Sequence, residues 1–337
     1  MISKTRIVIF IEDFSKSGGV EKIFFLLYNE LINNNNYEVL AFSFFNQQNL
    51  YNNEIIVTSN LLKIRREVKN FNPHYIKSFD FSAIIVSFLM GFKSKKIYSH
   101  HLPLQFINRK QNLLGFYFPM FLFKVIQKHF GSVIVYNSRS ELSFNFNQKS
   151  IYIGNPVKKF LNDISIKEKK ILFVGRLCEL KGLSGIFDRL SKINLSEYSI
   201  DILGEGPLKE SLVSKSVGFP VSFLGFKDPS EYFKKSSIFI FPSSVESYGI
   251  ALAEAKAAGC ACISFDCPVG PREILEHNKT GILVENGNYN DFIISLNKCI
   301  SNDIFRHNLA KQAYLSNDHV SERIFLDKYL ELFTTKK

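Results

Sequence analysis

Residues 238–265 read IFIFPSSVESYGIALAEAKAAGCACISF, and this stretch contains a strand, a loop, a helix and a second strand in succession. Ile238–Phe241 is a short β-branched and aromatic run that stops at Pro242, as a buried parallel strand does where a loop begins. After Gly249, an alanine-rich run predicts a helix that Gly259 closes. This alternation is typical of an α/β fold with a parallel sheet.

Two glutamates flank the start of the predicted helix. Glu246 lies just before it, and Glu254 lies roughly one and a half turns inside it, about 8 Å along the axis at about 1.5 Å per residue. The first N–H groups of a helix form an anion site, so a phosphate there would have a carboxylate on each side. This suits a nucleotide-sugar, with one carboxylate for the sugar and one for the ribose. Such a spacing also arises by chance, and Glu254 would then be a solvated helix residue.

The stretch resembles the E-x7-E motif of retaining GT-B glycosyltransferases, particularly family four, which includes bacterial lipopolysaccharide, capsule and glycolipid transferases. The resemblance implies an α/β fold with two Rossmann-like domains that face each other across a cleft and a C-terminal helix that returns to the first domain. It implies that Glu246 contacts the donor sugar and Glu254 the ribose. It also implies that the helix start, at Tyr248, Gly249 and Ile250, receives the diphosphate.

A second motif, which contains two cations, follows the predicted strand Lys170–Gly175. Arg176 and Lys181 lie five residues apart in a turn, where they can hold one diphosphate from two sides, although surface loops also carry such cations without a function. The string F-V-G-R-L-x-E-x-K-G around them resembles the family pattern. The resemblance implies that both cations hold the donor phosphates.

The turn Gly204-Glu205-Gly206-Pro207 follows another predicted strand. Its glycines suggest a dinucleotide site, but Lys209 stands where the third glycine of G-x-G-x-x-G belongs. This disfavours a nicotinamide-dependent oxidoreductase, as does the lack of an acidic ribose partner after the first strand. The resemblance implies instead that Gly204 and Gly206 face the nucleotide and that Phe226, after the next strand, borders the base.

The first half begins with a predicted strand, Ile7–Ile11, followed by Gly18, Gly19 and a helix. Strand, glycine pair and helix form a phosphate-cradle arrangement, although a turn needs glycine in any case. The element resembles the family's G-G-x-E-R, with Lys22 in place of the arginine. The resemblance implies that Gly18 and Gly19 lie beside the donor.

His100 and His101 follow the predicted strand Lys96–Ser99, at the edge where open α/β sheets place ligands. They are either exposed loop histidines or part of a site. Family members carry a histidine in a similar loop that approaches the donor sugar. We expect this role for His101, with His100 close behind as a donor-binding residue.

The length of 337 residues predicts two domains. We expect an N-terminal acceptor-binding domain over 1–160 and a C-terminal nucleotide-sugar-binding domain over 161–320. We expect a final helix over 321–337 that packs back on the first domain, with an apolar stripe of Ile324, Phe325, Tyr329 and Leu332. Residues 158–169, rich in lysine, are expected to form the linker.

The net charge of +11 is carried by the N-terminal half, where 20 basic residues face 9 acidic ones over 1–160. This indicates an acidic partner for the first domain. No recognition helix, zinc knuckle or RNP-like aromatic pair indicates nucleic acid, so anionic lipid or a diphosphate-linked lipid is favoured. Leu102–Phe130 mixes aromatic and basic residues and is either a membrane-interface segment or a core helix with a solvated basic edge. No run is long enough to cross a bilayer.

The five cysteines lack the spacing of a zinc site, and Cys260 and Cys262 are expected in the core. Free thiols fit a reducing cytoplasm, so we expect a cytoplasmic protein held peripherally at the inner face of the cell membrane. No Asp-x-Asp metal motif stands at a strand end. We expect no metal and no cofactor.

These observations predict an enzyme, a hexosyltransferase. It would move a hexose or N-acetylhexosamine from a nucleotide-sugar, UDP-linked in our expectation, to a hydroxyl of a lipid-linked or polysaccharide acceptor. Retention at the anomeric carbon is implied by the resemblance alone. The alternative is a non-catalytic subunit of the same fold that binds a sugar nucleotide or a glycan. The sugar, the acceptor and the linkage depend on the shape of the site, which no motif encodes.

Overall fold

A computed structural model describes residues 4–13, 18–45, 55–80, 86, 94–100, 133–139, 150–161, 163–164, 166–316 and 320–334. The chain forms two compact units. The first comprises Met1–Pro156 together with Glu322–Lys337, and the second comprises Val157–Ser321.

The first unit is built on a seven-stranded sheet in the order β3-β2-β1-β4-β5-β6-β7. Its strands are β1 (Thr5–Asp13), β2 (Tyr37–Phe45), β3 (Ile55–Val57), β4 (Tyr75–Ser78), β5 (Lys95–His100), β6 (Val133–Tyr136) and β7 (Ser150–Tyr152). Every neighbouring pair is parallel. Because parallel strands need crossovers, helices α1 (Gly19–Ile32) and α2 (Leu61–Phe71) connect β1 to β2 and β3 to β4.

Helix α2 is amphipathic and is capped at both ends. The Asn60 side chain accepts hydrogen bonds from the N–H groups of Leu62 and Lys63, and Asn72 ends the helix in the left-handed conformation at φ 49°. Only Ile64 and Val68 are buried. Its exposed residues include four basic ones, Lys63, Arg65, Arg66 and Lys69.

The last helix, α10 (Glu322–Thr334), packs on the first unit. The Phe333 ring lies edge-on to the rings of Tyr37 and Tyr75, with centroids 6.3 and 5.5 Å away. The buried residues of α10 are Phe325, Leu326, Tyr329 and Phe333. The expected stripe was therefore wrong at Ile324, which is 50% exposed.

A fully buried lysine connects α10 to the sheet. Lys77 Nζ in β4 hydrogen-bonds to Ser99 Oγ in β5, and that hydroxyl lies 2.8 Å from Tyr329 Oη. The ammonium position lies 4.5 Å from the centroid of the Phe79 ring and 5.0 Å from that of Tyr329. Burial lowers the pKa of Lys77 well below its usual value, an effect that the charge of Asp80 partly opposes.

The second unit is built on a six-stranded parallel sheet in the order β10-β9-β8-β11-β12-β13. Its strands are β8 (Glu168–Val174), β9 (Ser199–Leu203), β10 (Val221–Gly225), β11 (Ser236–Phe241), β12 (Ala261–Asp266) and β13 (Ile282–Glu285). Its helices are α3 (Leu183–Phe187), α4 (Lys209–Lys215), α5 (Ser230–Lys235), α6 (Ile250–Ala257), α7 (Pro271–Ile274), α8 (Tyr289–Ser301) and α9 (Asp303–Leu315). Two α/β units with parallel sheets, and a last helix in the first unit, confirm the expected fold class.

The segment that follows the first unit, where a linker was expected over residues 158–169, makes apolar contacts with the second unit. Val157 and Phe160 are each 4% exposed, and the Phe160 ring packs edge-on against Phe233 of α5 with centroids 6.1 Å apart. These contacts bring residue 157 onward into the second unit.

Two sequence predictions lie outside the described residues. They are His101 and the segment Leu102–Phe130.

Candidate active site

The predicted donor-site residues of the second unit share one edge of its sheet. Because all six strands are parallel, the turns that follow them lie at the same edge. Arg176 and Lys181 follow β8, Gly204 and Gly206 follow β9, Phe226 follows β10, and Glu246, Tyr248, Gly249, Ile250 and Glu254 follow β11. Strands β8 and β11 are neighbours, so their turns meet.

The turn after β8 is pressed against the loop after β11. A short 3-10 helix over Glu179–Lys181 ends at Gly182, which is in the left-handed conformation at φ 68°. A Cβ atom on Gly182 would lie 1.9 Å from the carbonyl oxygen of Pro242, so only glycine fits there. This close approach places Lys181 beside the loop that carries Glu246.

Lys181 and Glu246 form an ion pair. Lys181 Nζ lies 2.5 Å from Glu246 Oε1, and the two side chains are 21% and 9% exposed. The ammonium also lies 5.8 Å from the centroid of the Phe241 ring. The sequence motifs indicated separate partners for these side chains, a phosphate and a sugar, and the direct pairing was not predicted.

A buried thiol lies close enough to the pair to sense its charges. Cys267, after β12, is fully buried, and burial together with the negative charge of Glu246 raises its pKa to about 12. The Cys267 thiol is therefore neutral at physiological pH.

Helix α6 begins beside the ion pair. Its N-cap residue, Gly249, has no side chain with which to cap the first turn and lies next to the buried Tyr248. The N–H of Ala253 donates to the carbonyl oxygen of Gly249 at 3.1 Å, which is the first hydrogen bond of the helix. Glu254 is half-buried on this helix. The earlier N–H groups at the helix start are thus suited to an anion.

The glycines after β9 are required by packing of the chain. A Cβ atom on Gly204 would lie 1.9 Å from the carbonyl oxygen of Gly175, and one on Gly206 would lie 2.4 Å from that of Leu177. The N–H of Leu177 donates to the carbonyl of Glu205 at 2.9 Å. These contacts join the turn after β9 to the turn that carries the exposed Arg176.

The remaining predicted site residues differ in their surroundings. Phe226 is 64% exposed, directly after β10. Gly18 and Gly19 lie at the start of α1, and His100 is the last residue of β5, all in the first unit. Among the predicted site residues, the structure brings Lys181 and Glu246 into direct contact.

Comparison with known proteins identifies the second unit. Residues 156–316 match the family model described as "Glycosyl transferases group 1". The match covers just under half of the chain and lies almost wholly in the second unit.

Among the relatives of this chain is the amylovoran biosynthesis glycosyltransferase AmsD of Erwinia amylovora. It is 23% identical over 356 residues, which cover 97% of this chain and 99% of the relative. The N-acetylgalactosamine-N,N'-diacetylbacillosaminyl-diphospho-undecaprenol 4-alpha-N-acetylgalactosaminyltransferase of Campylobacter jejuni is 33% identical over 162 residues, 47% of this chain and 44% of that one. The second similarity therefore spans less than half of either protein.

The crystal structure of HepE from Anabaena, in complex with UDP and glucose, superimposes with a TM-score of 0.82 at 14% identity. It covers 98% of this chain and 99% of that one. This likeness shows the fold, and the GT-B fold expected from the sequence is confirmed. Within the described part of the chain, no helix is long and apolar enough to cross a membrane.

Proposed function

We propose that this chain is a retaining glycosyltransferase that moves a hexose or N-acetylhexosamine from a UDP-sugar to a hydroxyl of a lipid-linked or polysaccharide acceptor. The observation that carries the proposal is the Lys181–Glu246 pair beside the glycine N-cap of α6, at the carboxyl-terminal edge of the sheet in the unit that matches the family model. A cation, a carboxylate and the amides of a helix start are groups that can bind a sugar diphosphate.

The reaction needs fixed positive charge where the bond breaks. Cleavage of the bond between the anomeric carbon and the phosphate oxygen leaves negative charge on the diphosphate. Arg176, Lys181 and the amides of Tyr248–Ile250 stabilise that charge. Glu246 orients the sugar and Glu254 binds the ribose. Attack takes place on the face that the diphosphate leaves, and the departing phosphate oxygen accepts the proton of the acceptor hydroxyl.

The ion pair gives Lys181 two states. Without donor, its ammonium neutralises the nearly buried Glu246 carboxylate, which would otherwise lack a countercharge. With donor, the diphosphate competes for the same ammonium and leaves Glu246 to accept hydrogen bonds from sugar hydroxyls. The pair thus keeps both groups in place before the substrate arrives.

Other residues at the edge complete the donor site in this proposal. Gly204 and Gly206 hold the turn after β9 against the turn that carries Arg176, where both border the nucleotide, and exposed Phe226 stacks beside the base. The sequence resemblance also assigns Gly18, Gly19, His100 and His101 to donor binding. No metal and no cofactor takes part.

The choice of donor and acceptor class rests on similar proteins. HepE was solved with UDP and glucose. AmsD is named for amylovoran biosynthesis, and the Campylobacter relative for a diphospho-undecaprenol acceptor. That this chain uses a UDP-sugar donor and a polysaccharide or lipid-linked acceptor is part of the proposal.

We also propose that the basic first unit rests on the anionic inner face of the cell membrane, which makes the enzyme cytoplasmic and peripheral. Helix α2 supports this, because Leu62 is 80% exposed and lies among exposed basic residues, including Arg66 and Lys69. Each basic residue near an anionic surface contributes about 1 kcal/mol. Arg66→Glu with Lys69→Glu is therefore expected to weaken binding to phosphatidylglycerol vesicles roughly tenfold or more, and equal binding would refute a role for α2. Lys279→Glu with Lys311→Glu in the second unit is the matched control.

The test of the main proposal is a panel of UDP- and GDP-sugars, measured by thermal shift, donor hydrolysis and transfer to a polyprenyl-diphosphate-linked sugar. A UDP-sugar is expected to stabilise the protein and to be hydrolysed. Glu246→Gln is expected to abolish most turnover and to retain binding of UDP. Full activity of Glu246→Gln would refute the assigned role, and donor binding without any turnover by the wild-type protein would identify a binding subunit.

A further inference from the structure

The Lys181–Glu246 pair joins two loops that are far apart in sequence, and a third element holds them in register. Lys181 follows β8, and Glu246 follows β11, 65 residues later. The contacts that set the spacing of the two loops are centred on Ser244.

Ser244 connects the Glu246 loop to the Lys181 turn by two hydrogen bonds. Its N–H donates to the carbonyl oxygen of Leu180 at 2.9 Å, and its hydroxyl donates to the same oxygen at 3.2 Å. Leu180 directly precedes Lys181, and Ser244 lies two residues before Glu246. A displacement of Ser244 therefore changes the distance between the two charged groups.

The carbonyl group of Ser244 is held from the opposite side by Asn286. Asn286 Nδ2 donates to Ser244 O at 3.0 Å. Asn286 is exposed and follows β13, which is separated from β11 by β12 in the sheet. Its side chain therefore reaches back to the Glu246 loop from a turn that contributes no predicted donor-site residue.

We propose that Asn286 is a positioning residue, which fixes the Ser244 carbonyl and thereby keeps Glu246 in register with Lys181. The inference rests on the proposed glycosyl transfer for its kinetic consequence, but the hydrogen bond itself exists in the protein without substrate. One hydrogen bond at an exposed side chain contributes little to global stability. Its loss should instead be seen in the mobility of residues 243–249 and in the rate of the chemical step.

Three variants test the proposal. Asn286→Ala removes the donor, and Asn286→Asp keeps the shape but replaces the N–H donor with a carboxylate that repels the Ser244 carbonyl. Glu285→Ala is the matched control, because Glu285 is the exposed last residue of β13, directly before Asn286. Hydrogen exchange of the ligand-free protein is measured over residues 243–249, together with kcat and KM for UDP-sugar hydrolysis and the melting temperature.

In both Asn286 variants we expect faster exchange in this loop and a kcat reduced about tenfold, since small misplacements of reacting groups can cost up to roughly a hundredfold. KM should stay within about twofold and the melting temperature within about 2 °C, because neither the phosphate contacts nor the core is altered. Glu285→Ala should match the wild type in every measurement.

Unchanged exchange in the Asn286 variants would overturn the proposal, whatever the activity. Faster exchange with unchanged kcat would overturn the positioning role as well. If the wild-type protein turned over none of the donors, the proposed function would fail, and the exchange measurement alone would then decide whether Asn286 holds the loop.

Discussion

Replacing Lys181 with Met and Glu246 with Gln, separately and together, measures how strongly the two side chains depend on each other. Their charged atoms lie 2.5 Å apart, and Glu246 is only 9% exposed. Lys181→Met leaves a nearly buried carboxylate without its countercharge, which should cost about 2 kcal/mol. For a domain of this size, that loss lowers the melting temperature by roughly 4–8 °C.

The double variant should be more stable than the sum of the single changes predicts. Once Lys181 is absent, Glu246→Gln removes the uncompensated charge and should cost little or restore stability. We expect a coupling of about 1–2 kcal/mol, toward the middle of the range for contacting residues, because Lys181 keeps some contact with solvent. Turnover of a UDP-sugar should stay abolished in the double variant, which separates the structural role of the pair from its catalytic role.

The assay is thermal and urea unfolding of the four proteins under identical conditions. The Lys209–Glu205 pair serves as a control, because its atoms lie 2.8 Å apart but its side chains are 41% and 51% exposed. The same cycle there should give at most about 0.5 kcal/mol. Additive effects at Lys181 and Glu246, equal to those of the exposed control, would refute the argument that burial makes this pair energetically coupled.

Three further predictions follow from packing and burial. Gly182→Ala should destabilise the protein by more than about 3 kcal/mol and impair donor binding, whereas Gly218→Ala, also at positive φ but with open space around it, should cost about 1 kcal/mol in the same unfolding assay. Burial lowers the pKa of Lys77 in the folded protein. At pH values between that lowered pKa and the unfolded value of about 10.4, the unfolded chain binds a proton that the folded chain lacks. The free energy of unfolding should therefore rise with pH in this range, by up to about 1.4 kcal/mol per pH unit. Lys77→Met should remove this rise, as urea unfolding at pH 7 and pH 10 would show. A thiol reagent should label only Cys178 of the five cysteines in the native protein, since the others are buried, and all five in urea.

Elements whose ends are marked by proline or glycine could be predicted from the sequence. Strand β11 ends at Phe241 and helix α6 begins at Ile250, as Pro242 and Gly249 indicated. Local signals were also present for α2, where Asn60 caps the helix, but this helix and the short strand β3 were not predicted. Such a cap is visible in sequence only as an asparagine before a short apolar stripe.

Which face of a helix is buried depends on partners that are distant in sequence. In α10, Leu326 and Phe333 are buried, whereas Ile324 is not, because the helix packs against rings of β2 and β4. The burial of Lys77 has the same origin, since Ser99 and Tyr329 enclose it from two other elements. No local pattern distinguishes this lysine from the exposed ones.

At the candidate site, the motifs predicted the functional groups but not the contact between them. Each motif indicated a group for the donor: a cation after β8, a carboxylate after β11, and helix amides beside it. That the cation and the carboxylate bind each other follows from the sheet order, which makes β8 and β11 neighbours, and from the contact of Gly182 with the Pro242 carbonyl. In the proposed donor site, a diphosphate would have to displace the Glu246 carboxylate from Lys181, so part of its binding energy would be spent on separating the pair. Glu246→Gln should thus strengthen the binding of UDP even as it abolishes transfer, and weaker UDP binding by that variant would show that the carboxylate does not compete for the ammonium.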